Sequence, residues 1–474
     1  MKRKISMPLF AGFLIVALTF LTAPASATVP NPTVIGPIPV NVAPGDPSHD
    51  YTFFTPTIDL AAYGYIEEEF FIQGSANRYN TPTGQTGSII SSGHPYKTRI
   101  VVRRPISSKD FNGIVLLEWQ NVTAGYDLDA HWGASWEHFM RSGYAWVGVS
   151  AQRVGVHGFP PGTPGQVTQG LKAWSPIRYG TLDVTVGGTI LDDSLCYDIF
   201  SQAAQAMRNP TGIDPMNGFN VKMVLAIGAS QSASRLVIYH NSIEPLHGVV
   251  DAYYLLVGGY GTRTDLSVKV FQLLSETDVI SGAYRRRPNS EYFRTWEIAG
   301  AAHSGYFSAI YRQPIIARDS IVAAPLECTY PPYSRIPTHY VLNAAYDHLV
   351  RWVDDGTPPP TAPLIELVSV GGPGLPAIVV RDSLGLALGG IRLPDLAVPT
   401  ALNNGTNSGS GFCRLYGTYI PFDNATLHGL YRNHGAYVSA VTQATTDNLK
   451  DGYIVTEDAQ EIRVTAAQSD TPPK

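Results

Sequence analysis

The sequence predicts an α/β fold, with a mostly parallel central sheet, helices on both faces and a loop-rich C-terminal extension. Three observations carry this expectation. Short apolar, β-branched runs recur along the chain, among them Gly113–Trp119, Tyr144–Ser150 and Val249–Val257. Such continuous runs mark strands buried on both faces. Segments with helical apolar spacing alternate with them, which requires crossover connections and hence parallel pairing. Finally, Val221-Lys-Met-Val-Leu-Ala-Ile-Gly228 turns through Ala-Ser230-Gln-Ser232-Ala into the helical pattern of Ser234–Tyr239. A serine on a sharp strand-to-helix turn between small residues has the form of a nucleophile elbow, usually G-x-S-x-G. Here the second small position is Ser232 rather than glycine.

In chain order, the first segment is Met1-Lys-Arg-Lys, an apolar run from Ile5 to Leu21, then Ala25-Ser-Ala27. A basic start, an apolar stretch and an A-x-A site read as a cleavable signal peptide over 1–27, cut after Ala27. The run is shorter than the roughly 20 apolar residues of a membrane span, and no later stretch is long enough. The expected product is exported, secreted or periplasmic, without a membrane span after cleavage.

Residues 28–357 then form the expected catalytic core. Thr28–Pro47 is an extended lead-in. Tyr65–Ile72 and Thr98–Arg104 read as strands, Trp132–Arg141 as a helix, and Asp183–Asp193 as a long loop closed by a helix over Ser194–Arg208. Val268–Leu274 and Tyr292–Ile298 are further strands, and Tyr340–Asp355 is a helix. From Pro358 the texture turns Pro-, Gly- and Asn-rich, with helical spacing only over Tyr431–Asp451. Residues 358–474 therefore read as an extension packed on the same domain, since they lack a core pattern of their own.

Composition bounds the partners. Charged residues make up 15% and the formal net charge is −5, with no basic run, so a nucleic-acid partner is not expected. The substrate expected is a small, neutral or apolar molecule. Of the three cysteines, Cys196 lies in a helical pattern where a buried thiol is common. Cys328 and Cys413 lie in loop sequence, and an exported chain can join them. The histidines show no metal-ligand spacing, and no glycine-rich nucleotide fingerprint is present. No metal and no cofactor are expected. His131 and His138 read as surface or aromatic-face residues. Asn121, Asn404 and Asn424 begin glycosylation acceptor patterns.

The serine needs a base and an orienting carboxylate. Strand Val268–Leu274 runs into Ser275-Glu276-Thr277-Asp278, and strand Tyr292–Ile298 runs into Ala299-Gly-Ala-Ala-His303. The order nucleophile, acid, histidine, each after its own strand, predicts a triad of Ser230, Asp278 and His303, with Glu276 as the alternative acid. Alone, Asp278 could be a helix cap. An oxyanion is expected to meet the backbone N–H of Gln231 and a donor from the loop after the Gly113–Trp119 strand, Gln120 or Asn121. Glu118 and Arg153 are expected to form a structural salt bridge bordering the site.

These residues also carry a resemblance. Tyr96-Lys-Thr-Arg-Ile-Val-Val-Arg-Arg-Pro, Leu117-Glu-Trp-Gln-Asn-Val-Thr, Gly148-Val-Ser-Ala-Gln-Arg, Gly228-Ala-Ser-Gln-Ser, Ser275-Glu-Thr-Asp, Trp296-Glu-Ile-Ala-Gly-Ala-Ala-His and Gly389-Gly-Ile-Arg-Leu-Pro-Asp resemble a family of bacterial α/β-hydrolase-domain proteins. The likeness runs from about Ile58 to near the C-terminus. It implies the α/β-hydrolase fold, with the extension inside the same unit. It also implies Ser230 and His303 in the triad, with Glu276-Thr-Asp278 supplying the acid, and it implies no substrate. The resulting expectation is an exported serine hydrolase acting on carboxylic esters. The alternatives are amide, lactone or polyester cleavage on the same scaffold, and a non-catalytic binding protein.

Overall fold

The computed structural model describes residues 1, 29–160, 163, 169–323 and 325–473. The predicted leader and its cleavage site fall on residues outside this set. Among the described residues no helix is long and apolar enough to cross a membrane.

Nine strands form the central sheet: β1 (Thr33–Ile35), β2 (Tyr65–Asn80), β3 (Ser88–Pro105), β4 (Ile114–Trp119), β5 (Ala145–Val149), β6 (Met223–Ala229), β7 (Ala252–Leu256), β8 (Lys269–Ser275) and β9 (Phe293–Ile298). Their spatial order is β1-β2-β3-β5-β4-β6-β7-β8-β9. β5, β4, β6, β7, β8 and β9 run parallel, while β1, β2 and β3 join as an antiparallel edge. Every residue of β4, β5, β6 and β7 is buried, as expected of strands covered on both faces.

The covering helices used below are α1 (Ala130–Arg141), α2 (Arg153–His157), α3 (Cys196–Arg208), α4 (Gln231–Ile238), α5 (Glu276–Gly282), α6 (Tyr306–Arg318), α7 (Thr338–Asp354), α8 (His434–Lys450) and α9 (Thr456–Gln468). Between them and the sheet lie fully buried Trp119, Trp132, Trp146 and Trp296. The predicted strands, α1, α3 and α7 stand where the sequence places them, within a few residues. β2 and β3 extend well past the predicted segments, pairing Tyr65 with Pro105 at one end and Asn80 with Ser88 at the other. The long ribbon breaks register near Arg78, and its outer half carries Ser88–His94, too polar to read as a strand.

Several buried ion pairs fasten the loop after β4 to this ribbon. Arg103 Nη1 lies 2.6 Å from Asp129 Oδ2, and Arg99 Nη2 lies 3.4 Å from Asp127 Oδ2. The extension meets the opposite edge. Ile391 forms a parallel bridge to Ile298 at the end of β9, and Cys328 is disulfide-bonded to Cys413. Cys196 is a buried free thiol.

Two expectations are corrected here. His131 and His138 are buried, not surface residues. They do lie against aromatic rings, Tyr254 and Tyr346 for His131 and Tyr144 for His138, because α1 packs its histidine face inward onto the sheet and α7. The Glu118–Arg153 bridge is not formed. Glu118 instead accepts the His131 N–H at 3.0 Å and the Trp146 Nε1–H at 2.7 Å, and burial pushes its carboxyl up to about 8.

Candidate active site

The parallel strands deliver their loops to one edge of the sheet, where the candidate residues collect. Ser230 follows β6 directly and precedes α4. Its backbone sits at φ 58°, ψ −115°, a region that costs a non-glycine residue on the order of 1–3 kcal/mol. The turn is clamped from several sides. Ser230 N–H donates to Leu256 O of β7 at 2.9 Å. A Cβ on Gly228 would lie 2.9 Å from Leu236 Cδ1, so glycine is what lets α4 press against the strand. Ser232, the departure from the usual motif, accepts the Ala229 N–H at 2.9 Å and donates to Ala229 O at 2.8 Å. Its hydroxyl ties the turn to itself, which glycine could not do.

Asp278 and His303 meet at the ends of β8 and β9. His303 Nδ1 lies 2.7 Å from Asp278 Oδ1. The other carboxylate oxygen, Oδ2, accepts Ser275 N–H at 3.1 Å and Ser275 Oγ–H at 2.5 Å, so Asp278 is also half of the capping box of α5. The capping reading and the site reading describe one residue using its two oxygens. Thr277 Oγ1 accepts the His303 N–H at 3.1 Å, and Ser304 N–H donates to Leu415 O at 2.9 Å. The extension thereby helps hold the histidine loop. Among the described residues no hydrogen bond joins Ser230 Oγ to His303; unliganded sites of this kind are often loose.

Glu276 is turned away from His303 and wholly buried. It lies 2.6 Å from Arg381 Nη2, accepts Gly300 N–H at 2.7 Å and accepts Gly405 N–H at 3.2 Å. Its lone pairs are engaged in fastening the extension.

On the other side of Ser230, the Gln231 N–H has no partner among the described residues, as befits the first residue of a helix. Asn121 donates its backbone N–H to Leu128 O at 3.2 Å and its side-chain Nδ2–H to Ala229 O at 2.9 Å. That side chain braces the elbow, and with Asn121 only 6% exposed its glycosylation pattern lies in the interior. Gln120 N–H donates to Val149 O, and its Oε1 accepts from Ser150 and Arg99. The next N–H, that of Val122, makes no hydrogen bond among the described residues. Gln152, which the sequence reading did not single out, exchanges side-chain amide bonds with Gln231 at 2.6 and 3.1 Å. No local pattern marks such a pairing across 79 residues. Among the described residues no cluster of His, Cys, Asp and Glu could hold a metal ion.

Residues 34–464 match the family described as alpha/beta hydrolase domain. The chain belongs to that family. The hydrolase has no match among curated proteins. Similar solved structures include a candidate acetyl xylan esterase from Bacteroides fragilis (12% identity, 40% of this chain and 44% of that one, TM-score 0.23). Others are a dienelactone hydrolase from Anabaena variabilis (16% identity, 51% and 95%, TM-score 0.26) and a glucuronoyl esterase from Teredinibacter turnerae (9% identity, 56% and 76%, TM-score 0.27). The hydrolase thus spans less than half the length of the first of these.

Proposed function

We propose that this hydrolase cleaves carboxylic esters through Ser230, with His303 as base and Asp278 as the acid that orients it. The observation that carries the reading is the 2.7 Å contact between His303 Nδ1 and Asp278 Oδ1, at the same sheet edge as a serine held in a strained turn. His303 Nε2 takes the proton of Ser230 Oγ as the oxygen attacks the ester carbonyl carbon. The tetrahedral intermediate collapses, the C–O bond to the alcohol breaks, and the alcohol leaves with the proton from Nε2. Water then attacks the acyl-serine, giving its proton to Nε2. Collapse returns that proton to Ser230 Oγ and releases the acid. Throughout, Asp278 accepts the Nδ1–H and stabilises the imidazolium.

The oxyanion donors in this reading are the N–H groups of Gln231 and Val122. The second replaces the expected Asn121, whose N–H is bonded to Leu128 O. Residues 358–474 serve as part of the same catalytic unit through Arg381 and Leu415, and the predicted leader makes the product an exported enzyme.

Labelling with a fluorophosphonate probe tests the nucleophile. Wild type is expected to label and Ser230→Ala is not. A folded wild type that resists the probe, or an alanine variant that labels equally, ends the reading.

A further inference from the structure

Of the expected Glu118–Arg153 pair, Glu118 finds other partners and, among the described residues, the Arg153 side chain does not. Arg153 begins α2, immediately after Gln152, whose amide is bonded to Gln231 beside Ser230. Its guanidinium makes no hydrogen bond or ion pair among the described residues. The two nearby carboxylates are occupied elsewhere. Asp193 accepts the Arg153 backbone N–H at 2.6 Å and pairs with Arg235 at 3.2 Å. Asp183 accepts Thr185 N–H at 2.8 Å, Thr185 Oγ–H at 2.6 Å and Gly187 N–H at 2.6 Å. Although burial opposes it, these bonds hold Asp183 below the usual carboxylate range, so it stays ionised, with its lone pairs taken up by these donors and with His157 Nε2 3.3 Å away.

Arg153 opens into a cleft of about 280 Å³ that Lys172, His157, Asp183, Thr185 and Leu191 also line. Lys172 Nζ donates one bond, to Leu182 O at 2.8 Å, and an ammonium has three donors to offer. Val184 N–H donates to His157 Nε2 at 3.3 Å, and burial together with Lys172 lowers the imidazole pKa, so His157 adds no charge near neutral pH. The cleft therefore presents a free guanidinium and a partly free ammonium against the one Asp183 carboxylate, an excess of one positive charge, with leucine on its wall. A guanidinium fork matches a carboxylate bidentately.

We propose that this cleft is a substrate subsite for a carboxylate, and that Arg153 selects esters bearing a second, ionised carboxyl group. The proposal rests on the ester-hydrolase reading of the Ser230 edge. It also departs from the neutral substrate that composition suggests: a net charge of −5 is an average over the whole surface, while recognition depends on the charge in one cleft.

Two matched pairs test it: 4-nitrophenyl hemisuccinate against 4-nitrophenyl butyrate, and 4-carboxyphenyl butyrate against phenyl butyrate. Arg153→Gln is expected to lower the anionic-to-neutral ratio of kcat/KM by roughly 10- to 100-fold for at least one pair, the scale of one lost charge-assisted hydrogen-bonded pair, with partial recovery in Arg153→Lys. Unchanged ratios for both pairs overturn the proposal. A binding arm separates this from failure of the triad: calorimetry of monomethyl against dimethyl succinate on Ser230→Ala protein, with and without Arg153→Gln. Weaker binding of the monoester alone supports the subsite whatever the nucleophile is. Equal competition by inorganic phosphate would assign the cleft to phosphate-bearing esters and overturn the carboxylate.

Discussion

The first turn of α5 presents two carboxylates to two different regions of the molecule. On its inner side, Glu276 faces the extension and is saturated by a guanidinium and two backbone N–H groups. On its outer side, Asp278 gives one oxygen to the helix cap and keeps the other for His303. The side chains differ by one methylene and stand two positions apart, yet one closes a structural joint and the other remains part of a site open to solvent. What separates them is the supply of partners: both oxygens of Glu276 are bonded inside the protein away from His303, while one oxygen of Asp278 meets the imidazole.

Three substitutions and one titration would break or sharpen this contrast. The largest effect is expected from Asp278→Asn, which should lower kcat by about four orders of magnitude, read with a nitrophenyl ester on protein of unchanged circular dichroism. Glu276→Gln should act on stability instead. Arg381, the partner left behind, is 25% exposed, so the loss is that of charge-assisted hydrogen bonds, about 1–3 kcal/mol; denaturant midpoints should fall while the folded fraction keeps kcat within about tenfold of wild type. Should Glu276→Gln abolish turnover in folded protein and Asp278→Asn spare it, the two roles are reversed. Removing both charges, in Glu276→Gln with Arg381→Met, should restore part of the lost stability, because a partly buried charge without its partner costs more than an absent pair.

A third buried carboxylate gives the smallest and most graded effect. Glu118 has N–H donors but no cation, and burial pushes it up to about 8. A carboxyl raised on folding holds its proton in the native state after the unfolded chain has released its own. Its contribution is therefore present below about pH 4.5 and is lost as the pH rises toward 8. Melting curves of wild type and Glu118→Gln between pH 5 and pH 8 should show wild type losing ground as the pH rises; parallel curves would show that Glu118 titrates normally.

The parallel strands were legible because burial on both faces writes an unbroken apolar run, as in Met223–Ala229 and Ala252–Leu256. The helix Tyr306–Arg318 was not, since Pro314 interrupts its pattern; nor was Thr456–Gln468, where apolar residues are sparse. Ser230, Asp278 and His303 stood out as candidates because chemistry demands such residues in one order, and each follows the end of its own strand. The choice between Glu276 and Asp278 stayed open for a physical reason: what sets the two carboxylates apart is Arg381, 105 residues further along. Arg153 failed in the same way, because the sequence shows a charge near Glu118 but not the tryptophan and helix that take up that carboxylate.

Asn121 braces the nucleophile turn from the interior, yet it begins a pattern that oligosaccharyltransferase reads on the nascent chain. In a eukaryotic secretory host a glycan would be attached before the loop closes, and a buried position next to Ala229 has no room for it. Production of folded protein therefore calls for a bacterial host, or for Thr123→Ala, which erases this acceptor pattern at an exposed position while leaving the Asn121 amide in place.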